Sequence, residues 1–340
     1  MISFTNVTKA YDDGTVAVDD LTLDVPDGTL TVFVGPSGCG KTTSMRMINR
    51  MIEPTSGTLT VDGQSVARAN PVKLRLGIGY VIQSAGLMPH QRVVDNVATV
   101  PVLRGQSRRA ARRAALDVME RVGLDPKLAS RYPAQLSGGQ QQRVGVARAL
   151  AADPPILLMD EPFSAVDPVV REELQAEMLR LQSELHKTIV FVTHDIDEAV
   201  KLGDKVAVFG PGGVLQQYDE PEQLLSTPAN DFVSGFIGAD RGYRRLQFFH
   251  ASGITLRDIG DVDGWELETR PDGTPVGWRN ADGLVAGGSL LRPDGTLRQA
   301  LDAALSSPSG TGVAVDADGK VIGGVRADDV LEALEAQRNG

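Results

Sequence analysis

The sequence has little cysteine, no long apolar run and no excess of positive charge, and each shortage excludes a class of protein. Its one cysteine among 340 residues, Cys39, rules out an intramolecular disulfide. No run approaches about 18 uninterrupted apolar residues, so no membrane-spanning helix is expected. The net charge of −10 argues against a nucleic-acid partner. The N-terminal residues 1–4 lack a basic and then apolar signal, which predicts a cytosolic protein.

The length and a change in composition predict two domains. A chain of 340 residues exceeds one ordinary domain, and 41% apolar with 23% charged residues is typical of a globular protein with ample core. From about Gly242 the sequence becomes rich in glycine and aspartate. We therefore place the domains at residues 1–240 and 241–340.

A glycine-rich stretch between a strand and a helix predicts a phosphate-binding loop. It follows the apolar run 30–34 and leads into the helical pattern 44–49. In that context G-x-x-x-x-G-K-[ST] presents backbone N–H groups and a helix N-terminus to phosphate oxygens. Lys41 is expected to reach the β- and γ-phosphates, and the Thr42 hydroxyl to ligate Mg²⁺. The loop comprises Gly35, Pro36, Ser37, Gly38, Cys39, Gly40, Lys41, Thr42 and Thr43.

Two acids end a second apolar run, Ile156–Met159. A near-continuous apolar run indicates a parallel strand buried on both faces, and ligands of open α/β sheets bind at the carboxyl ends of such strands. Asp160 therefore fits an Mg²⁺ role, through water. Glu161 is placed to orient or deprotonate the water that attacks the γ-phosphate.

Further polar residues are predicted at the same edge of the sheet. Gln83 ends a strand predicted over residues 76–82, where it can contact Mg²⁺ or the attacking water. His194 follows the buried strand 188–193 and can bond a γ-phosphate or hold that water. Tyr11, just before a turn ahead of the phosphate loop, is a candidate to stack on an adenine ring.

A second anion-binding helix N-terminus lies at Leu136–Gln140. A serine and two glycines precede an apolar helix that runs to Leu150. One chain with one nucleotide needs one such site, so a second one suggests that two copies share nucleotides across an interface. Asp167, before Pro168, is expected to cap another helix in the same region of the chain.

The other predicted strands and helices of the first domain indicate an α/β core with a helical insertion. Strands are predicted at 2–7 and 17–25, and a short hairpin at 55–63. From Arg92 to Leu150 the pattern becomes mainly helical, which indicates a helical insertion.

Taken together, these motifs resemble an ABC transporter ATPase subunit over residues 1–240. The resemblance implies an ABC-type P-loop nucleotide-binding domain, with a mixed sheet core, a β-subdomain and a helical insertion at about 84–150. It also implies ATP and Mg²⁺ as cofactors, ATP hydrolysis, and a head-to-tail dimer. The catalytic residues it implies are Glu161, His194, Gln83 and Lys41, and the metal residues are Thr42, Gln83 and Asp160. The residues it implies from the second copy are Ser137, Gly138, Gly139, Gln140 and Asp167.

Finer features resemble the ATPases of glycine betaine, proline, carnitine and choline importers. They are the segments 46–57, 79–83, 230–233 and 238–241. This resemblance implies a subunit bound to two permeases at the cytoplasmic face of the membrane, with an extracellular substrate-binding protein as an indirect partner. Residues 84–90 depart from the usual sequence, which leaves the cargo open. The alternatives are an importer of another small solute and a non-transport ABC protein.

The C-terminal segment predicts a small α+β domain. A helix at 296–305, strands at 312–316 and 321–325, and a helix from 328 resemble a CBS module, which importers of this group often carry in pairs. An earlier copy at roughly 253–285 fits only loosely and is interpreted as degenerate. Arg326 stands where nucleotide-binding CBS modules usually have Thr or Ser. Regulation and simple dimerisation both remain open.

Overall fold

The computed structural model describes residues 1–164, 166–260 and 262–339, and it divides into two compact units, Met1–Phe236 and Ile237–Gly340. Among these described residues no helix is long and apolar enough to cross a membrane. The α-helices are α1 Lys41–Ile48, α2 Pro71–Leu76, α3 Val93–Leu103, α4 Arg108–Arg121, α5 Gly138–Leu150, α6 Pro168–Leu185, α7 Ile196–Leu202, α8 Pro221–Ser226, α9 Asp231–Ile237, α10 Arg241–Arg245, α11 Leu297–Ser306 and α12 Ala327–Asn339. Short 3₁₀ turns occur at Pro126–Ser130, Pro133–Gln135, Pro211–Gly213, Leu246–Phe248 and Ala251–Gly253.

Within the described residues the strands form four sheets, two in each unit. Those of the first unit are β1 Ile2–Ala10, β2 Val16–Val25, β3 Leu30–Val34, β4 Ser56–Val61, β5 Gln64–Ser65, β6 Ile78–Val81, β7 Ile156–Asp160, β8 Thr188–Thr193, β9 Lys205–Phe209 and β10 Leu215–Asp219. Those of the second are β11 Glu266–Thr269, β12 Pro275–Asn280, β13 Gly283–Ala286, β14 Leu290–Leu291, β15 Gly312–Val315 and β16 Val321–Val325.

A six-stranded mixed sheet forms the centre of the first unit. Its order is β10-β9-β3-β8-β7-β6, and β10 is antiparallel to β9 while the other neighbours are parallel. Every residue of β3, β7 and β8 is buried, which explains their continuous apolar sequences. The predictions for β3 and β8 are confirmed to the residue. Because β6, β7 and β8 are adjacent and parallel, their carboxyl ends meet at one edge.

An antiparallel sheet of order β2-β1-β4-β5 packs into the same core. The hairpin predicted at 55–63 is present but displaced, because β4 occupies most of this stretch and also pairs along β1. The turn instead joins β4 to β5 at Asp62 and Gly63. Both residues have positive φ, 48° and 73°, which favours a tight hairpin turn.

The predicted strand at 76–82 is too long at its beginning. Asn70 caps α2 by accepting hydrogen bonds from the backbone N–H groups of Val72 and Lys73, and Pro71 occupies the first helical position. This cap stabilises a helix through Leu76, so β6 begins only at Ile78. The helical insertion predicted over 92–150 is confirmed as α3, α4 and α5.

The second unit contains two three-stranded sheets. The predicted helix, strand, strand, helix order is confirmed as α11, β15, β16 and α12, with β15 and β16 antiparallel. Thr296 and Gln299 form a reciprocal capping box at the start of α11. Between 262 and 286 the chain forms the antiparallel meander β11-β12-β13, whose Trp278 is fully buried.

Candidate functional site

The phosphate-binding loop joins β3 to α1, and close backbone packing explains two of its glycines. Gly35 has φ +151°, and a Cβ there would lie 2.2 Å from the carbonyl oxygen of Phe209. Gly40 has φ +86°, and a Cβ there would lie 2.0 Å from the carbonyl oxygen of Ala17. No other residue fits these positions without moving backbone. Pro36, Ser37 and Gly38 are exposed at the rim of the loop.

Lys41 and Cys39 are buried beneath this rim. The Lys41 ammonium group donates hydrogen bonds to the carbonyl oxygens of Gly35 and Pro36, both at 2.7 Å. Its Nζ atom also lies 3.6 Å from Cys39 Sγ. Burial raises the pKa of the Cys39 thiol, which disfavours the reactive thiolate. Cys39 is therefore a small filler, and Lys41 is held by groups that phosphate oxygens can replace.

Thr42 and Asp160 meet where α1 passes the end of β7. The Thr42 hydroxyl donates to Oδ1 of Asp160 at 2.8 Å, and Asp160 is only 4% exposed. Arg46 donates from Nη2 to the other oxygen, Oδ2, at 3.4 Å. Sequence reasoning missed Arg46, although it lies one turn after Thr42 and so faces the same edge. Arg46 also donates to the Tyr80 hydroxyl at 3.4 Å.

Gln83, Glu161 and His194 converge on one carboxylate oxygen. Gln83 Nε2 donates to Glu161 Oε2 at 3.1 Å, and His194 Nδ1 lies 3.3 Å from the same atom. Glu161 has a positive φ of 44°, which turns the chain sharply after β7. Its N–H donates to the carbonyl oxygen of Val192 on β8 at 3.0 Å. Ser164, three residues before the α6 cap Asp167, accepts a hydrogen bond from Gln83 at 3.4 Å.

The second predicted anion-binding helix end is well formed. Ser137 and Gln140 make a reciprocal capping box at the start of α5, with hydrogen bonds of 3.3 and 3.0 Å. Ser137 and Gly138 are exposed. A Cβ at Gly139 would lie 2.6 Å from a methyl group of Val170, so α5 begins directly beside α6.

Asp167 caps α6 as predicted. Its carboxylate accepts from the N–H of Val170 at 3.1 Å, and its side chain is exposed. Ala165 lies outside the described residues. Because Val170 contacts both Asp167 and the Gly139 position, the residues predicted to act across an interface belong to one continuous surface.

Tyr11 lies between β1 and the first turn, where it is 41% exposed. Lys9 Nζ is 5.0 Å from the centre of its ring. The ring is therefore accessible for stacking, and a cation over one face leaves the other face available.

A groove of about 360 Å³ lies in the helical insertion. His90 and Arg92 lie at one side, and Leu103 and Tyr132 contribute exposed apolar surface, at 66% and 41%. Arg112 lines the groove as well and holds Asp95 by two hydrogen bonds of 2.7 and 3.0 Å. Of these residues, His90 belongs to the stretch 84–90, whose sequence departs from the usual importer sequence.

Comparisons with known proteins agree with this geometry. Residues 18–164 match the family model described as ABC transporter. The osmoprotectant import ATP-binding protein OsmV of Salmonella typhimurium is 40% identical over an alignment that covers 99% of this chain and 97% of the relative. The chain belongs to the ABC transporter ATP-binding protein family. The predicted family resemblance and the predicted P-loop fold with a mixed sheet are thereby confirmed.

Other members of this family match a part of the chain. The choline transport ATP-binding protein OpuBA of Bacillus subtilis is 48% identical over 241 residues, 71% of this chain and 63% of the relative. The match thus spans less than two thirds of that relative's length. A dimeric ABC transporter cassette, MJ0796, is 32% identical in a structure with bound ADP and Pi, with a TM-score of 0.60 and coverage of 65% of this chain and 99% of the cassette.

Proposed function

We propose that this chain is the ATP-hydrolysing subunit of an ABC importer for glycine betaine or a related compatible solute. The observation that carries the proposal is the convergence of Gln83 and His194 on Glu161, at the sheet edge that holds the phosphate-binding loop. The names of the OsmV and OpuBA relatives support the class of cargo.

Hydrolysis follows from the positions of these side chains. Lys41 exchanges the carbonyl oxygens of Gly35 and Pro36 for the β- and γ-phosphate oxygens of ATP. Glu161 takes a proton from the water that attacks the γ-phosphorus, and the bond to the β-γ bridging oxygen breaks, so that ADP and phosphate leave. Gln83 and His194 orient that water and the γ-phosphate. Tyr11 stacks on the adenine ring.

The donor set at the end of β7 fits Mg²⁺. Thr42 supplies a hydroxyl and Asp160 a carboxylate, with the two oxygens 2.8 Å apart, and Gln83 adds an amide oxygen from the next strand. Hard oxygen ligands and retained waters are what Mg²⁺ prefers. The bound cation supplies charge neutralisation on the phosphates. Thr42 would hold the cation directly and Asp160 would hold it through water, and Arg46 keeps Asp160 in place.

Two copies share each nucleotide in this proposal. One copy contributes the phosphate-binding loop, and the other contributes Ser137, Gly138, Gly139, Gln140 and Asp167. Three observations support it: α5 presents an exposed capped N-terminus, Gly139 lies against α6, and the MJ0796 relative is described as dimeric. Closure around ATP adds electrostatic stabilisation that one copy lacks.

The partners are two permeases, and an extracellular substrate-binding protein acts through them. The groove beside Leu103 and Tyr132 supports a docking site in the 84–135 region. We place the protein at the cytoplasmic face of the membrane, held there by the permeases. Residues 241–340 are proposed as a CBS-like domain with a regulatory or dimerising role, because α11, β15, β16 and α12 follow the order of that module.

A pair of measurements tests the function. Purified protein should hydrolyse ATP with Mg²⁺, and cells that lack the protein should lose uptake of labelled glycine betaine. Uptake of other small solutes in the same cells distinguishes an importer with a different cargo. Normal uptake of every compatible solute tested, together with co-purification of nucleic acid, would instead favour a non-transport ABC protein.

A further inference from the structure

A buried carboxylate lies behind the catalytic edge, and the proposed hydrolysis does not use it. Glu198, in the first turn of α7, is 6% exposed. Its Oε2 atom accepts a hydrogen bond of 2.6 Å from the hydroxyl of Thr193, the last residue of β8. That hydroxyl in turn accepts from the N–H of Asp195 at 3.0 Å. Thr193 and Asp195 are the two neighbours of His194, so Glu198 anchors the turn that carries the histidine.

A second contact leads from Glu198 to α6. Arg171 Nε lies 4.0 Å from Glu198 Oε1, and Arg171 Nη1 lies 3.9 Å from Asp195 Oδ2. Arg171 also donates from Nη2 to the carbonyl oxygen of Val166 at 3.4 Å. Val166 directly precedes Asp167, the cap of α6. One arginine therefore bridges the segment proposed to meet the other copy and the turn that carries His194.

The stability of the fold does not explain a carboxylate here. Burial is the main cause that raises the pKa of Glu198, so its ionised form costs folding free energy. A glutamine has nearly the same shape and accepts the same hydrogen bond from Thr193. What a glutamine lacks is the charge that attracts Arg171 and the second acceptor oxygen, which takes a hydrogen bond of 3.4 Å from Gln175 Nε2. Because replacing a buried charge by a neutral group is often neutral or stabilising, fold stability gives weak grounds for a carboxylate at this position.

We propose that Glu198 is a positioning residue for His194, and that Arg171 connects it to the Val166–Asp167 segment. This inference rests on the proposed hydrolysis of ATP. Glu198 touches no reacting atom. It fixes the β8–α7 turn so that His194 stays against Glu161, and Arg171 makes that geometry depend on the start of α6.

The test uses the full chain and single-turnover hydrolysis of ATP. We expect Glu198→Gln to lower the rate about tenfold or more, as loss of an orienting partner commonly does. The Kd for ATP should change less than about twofold, and thermal stability should not fall, because the buried charge is gone. The control is Glu177→Gln, which removes an acid of α6 that pairs with Arg180 and should leave the rate unchanged.

A double-mutant cycle separates positioning from a general structural effect. If Glu198 acts through His194, the effect of Glu198→Gln should shrink to less than about twofold in a His194→Ala background. An equal loss in both backgrounds, or a wild-type rate for Glu198→Gln, would overturn the inference. If Glu198→Gln does not fold, Thr193→Val and Thr193→Ser decide in the same way: the valine should slow hydrolysis and the serine should restore it.

NMR of the His194 ring distinguishes a failure of the Glu198 positioning role from a failure of the proposed ATP hydrolysis. The ring resonances of His194, assigned by their loss in His194→Ala, should move in Glu198→Gln and stay in Glu177→Gln. If wild-type protein hydrolyses no ATP, the proposed function fails, and the histidine spectra still decide whether Glu198 positions the ring. If wild-type protein is active and neither rate nor spectrum responds to Glu198→Gln, the positioning role alone fails.

Discussion

Nδ1 of His194 lies 3.3 Å from Oε2 of Glu161, at the carboxyl ends of two neighbouring parallel strands. The contact holds the imidazole so that its other nitrogen, Nε2, points away from Glu161. In the proposed reaction the carboxylate is the base, and the histidine and Gln83 set the geometry of water and γ-phosphate. The predictions below test the separate parts of this arrangement.

Replacing the base should stop hydrolysis without stopping binding. Glu161→Gln keeps the hydrogen-bonding shape but removes the proton acceptor, so steady-state hydrolysis should fall at least about 100-fold. Binding of a fluorescent ATP analogue should remain within about threefold of wild type. Glu184→Gln, which alters an exposed acid paired with Arg180, serves as the control. An unchanged rate in Glu161→Gln would show that another group is the base.

The Mg²⁺ assignment predicts a change in metal requirement. Asp160→Asn removes a charge that Thr42 and Arg46 hold in place, so the Mg²⁺ concentration for half-maximal hydrolysis should rise about tenfold or more. Thr42→Ser keeps the hydroxyl and should behave like wild type, whereas Thr42→Val should not. Titration of hydrolysis with Mg²⁺ at saturating ATP measures this. Identical titrations for Asp160→Asn and wild type would show that Asp160 does not hold the Mg²⁺ ion.

The Arg257–Asp329 pair predicts a pH-dependent stability of the second unit. Hydrogen bonds from Arg257 hold the pKa of Asp329 below its ordinary value of 3.8. A depressed folded-state pKa means that the carboxylate stabilises the fold above the ordinary pKa and loses this effect as pH falls through the lower one. Because solvent screens the exposed Arg257, Asp329→Asn should reduce the free energy of unfolding by only about 1 kcal/mol at pH 7. The difference from wild type should shrink below pH 3.8.

Tryptophan fluorescence during urea unfolding measures the difference in unfolding free energy between Asp329→Asn and wild type in the second unit. The chain has two tryptophans, Trp265 and Trp278, and both belong to the second unit. Asp302→Asn, at an exposed position of α11, is the control. A gap between Asp329→Asn and wild type that stays constant down to pH 3 would contradict the assigned pKa direction.

Much of the catalytic edge could be predicted because parallel strands align their carboxyl ends. The apolar runs of β7 and β8 identify buried strands, the sequence before Gln83 identifies β6, and the polar residue that follows each of these strands must lie at the common edge. This reasoning places Gln83, Glu161 and His194 there, and the structure brings them together. Local capping chemistry likewise predicted the start of α6 at Asp167.

Contacts that depend on packing between elements could not be predicted. Arg46 meets Asp160 only because α1 crosses the end of β7 on one particular face. The sequence around Glu198 is that of an ordinary short amphipathic helix, so its contacts with Thr193 and Arg171 could not be predicted from it. The position of the β4–β5 hairpin could not be predicted, because the pairing of β4 with β1 spans many residues and leaves no local signal.

The central claim is that each ATP lies between two copies of the chain, and mixing two inactive variants tests it most directly. Lys41→Ala removes the phosphate contact, and Ser137→Arg blocks the α5 N-terminus, so each variant alone has two defective sites. A mixed dimer has one site with both defects and one intact site. We predict that hydrolysis is restored on mixing, to about half of the wild-type rate per mixed dimer if sites act independently, and therefore to about a quarter of the wild-type rate in an equal mixture that pairs at random. Mixtures as inactive as the separate variants would contradict a shared site.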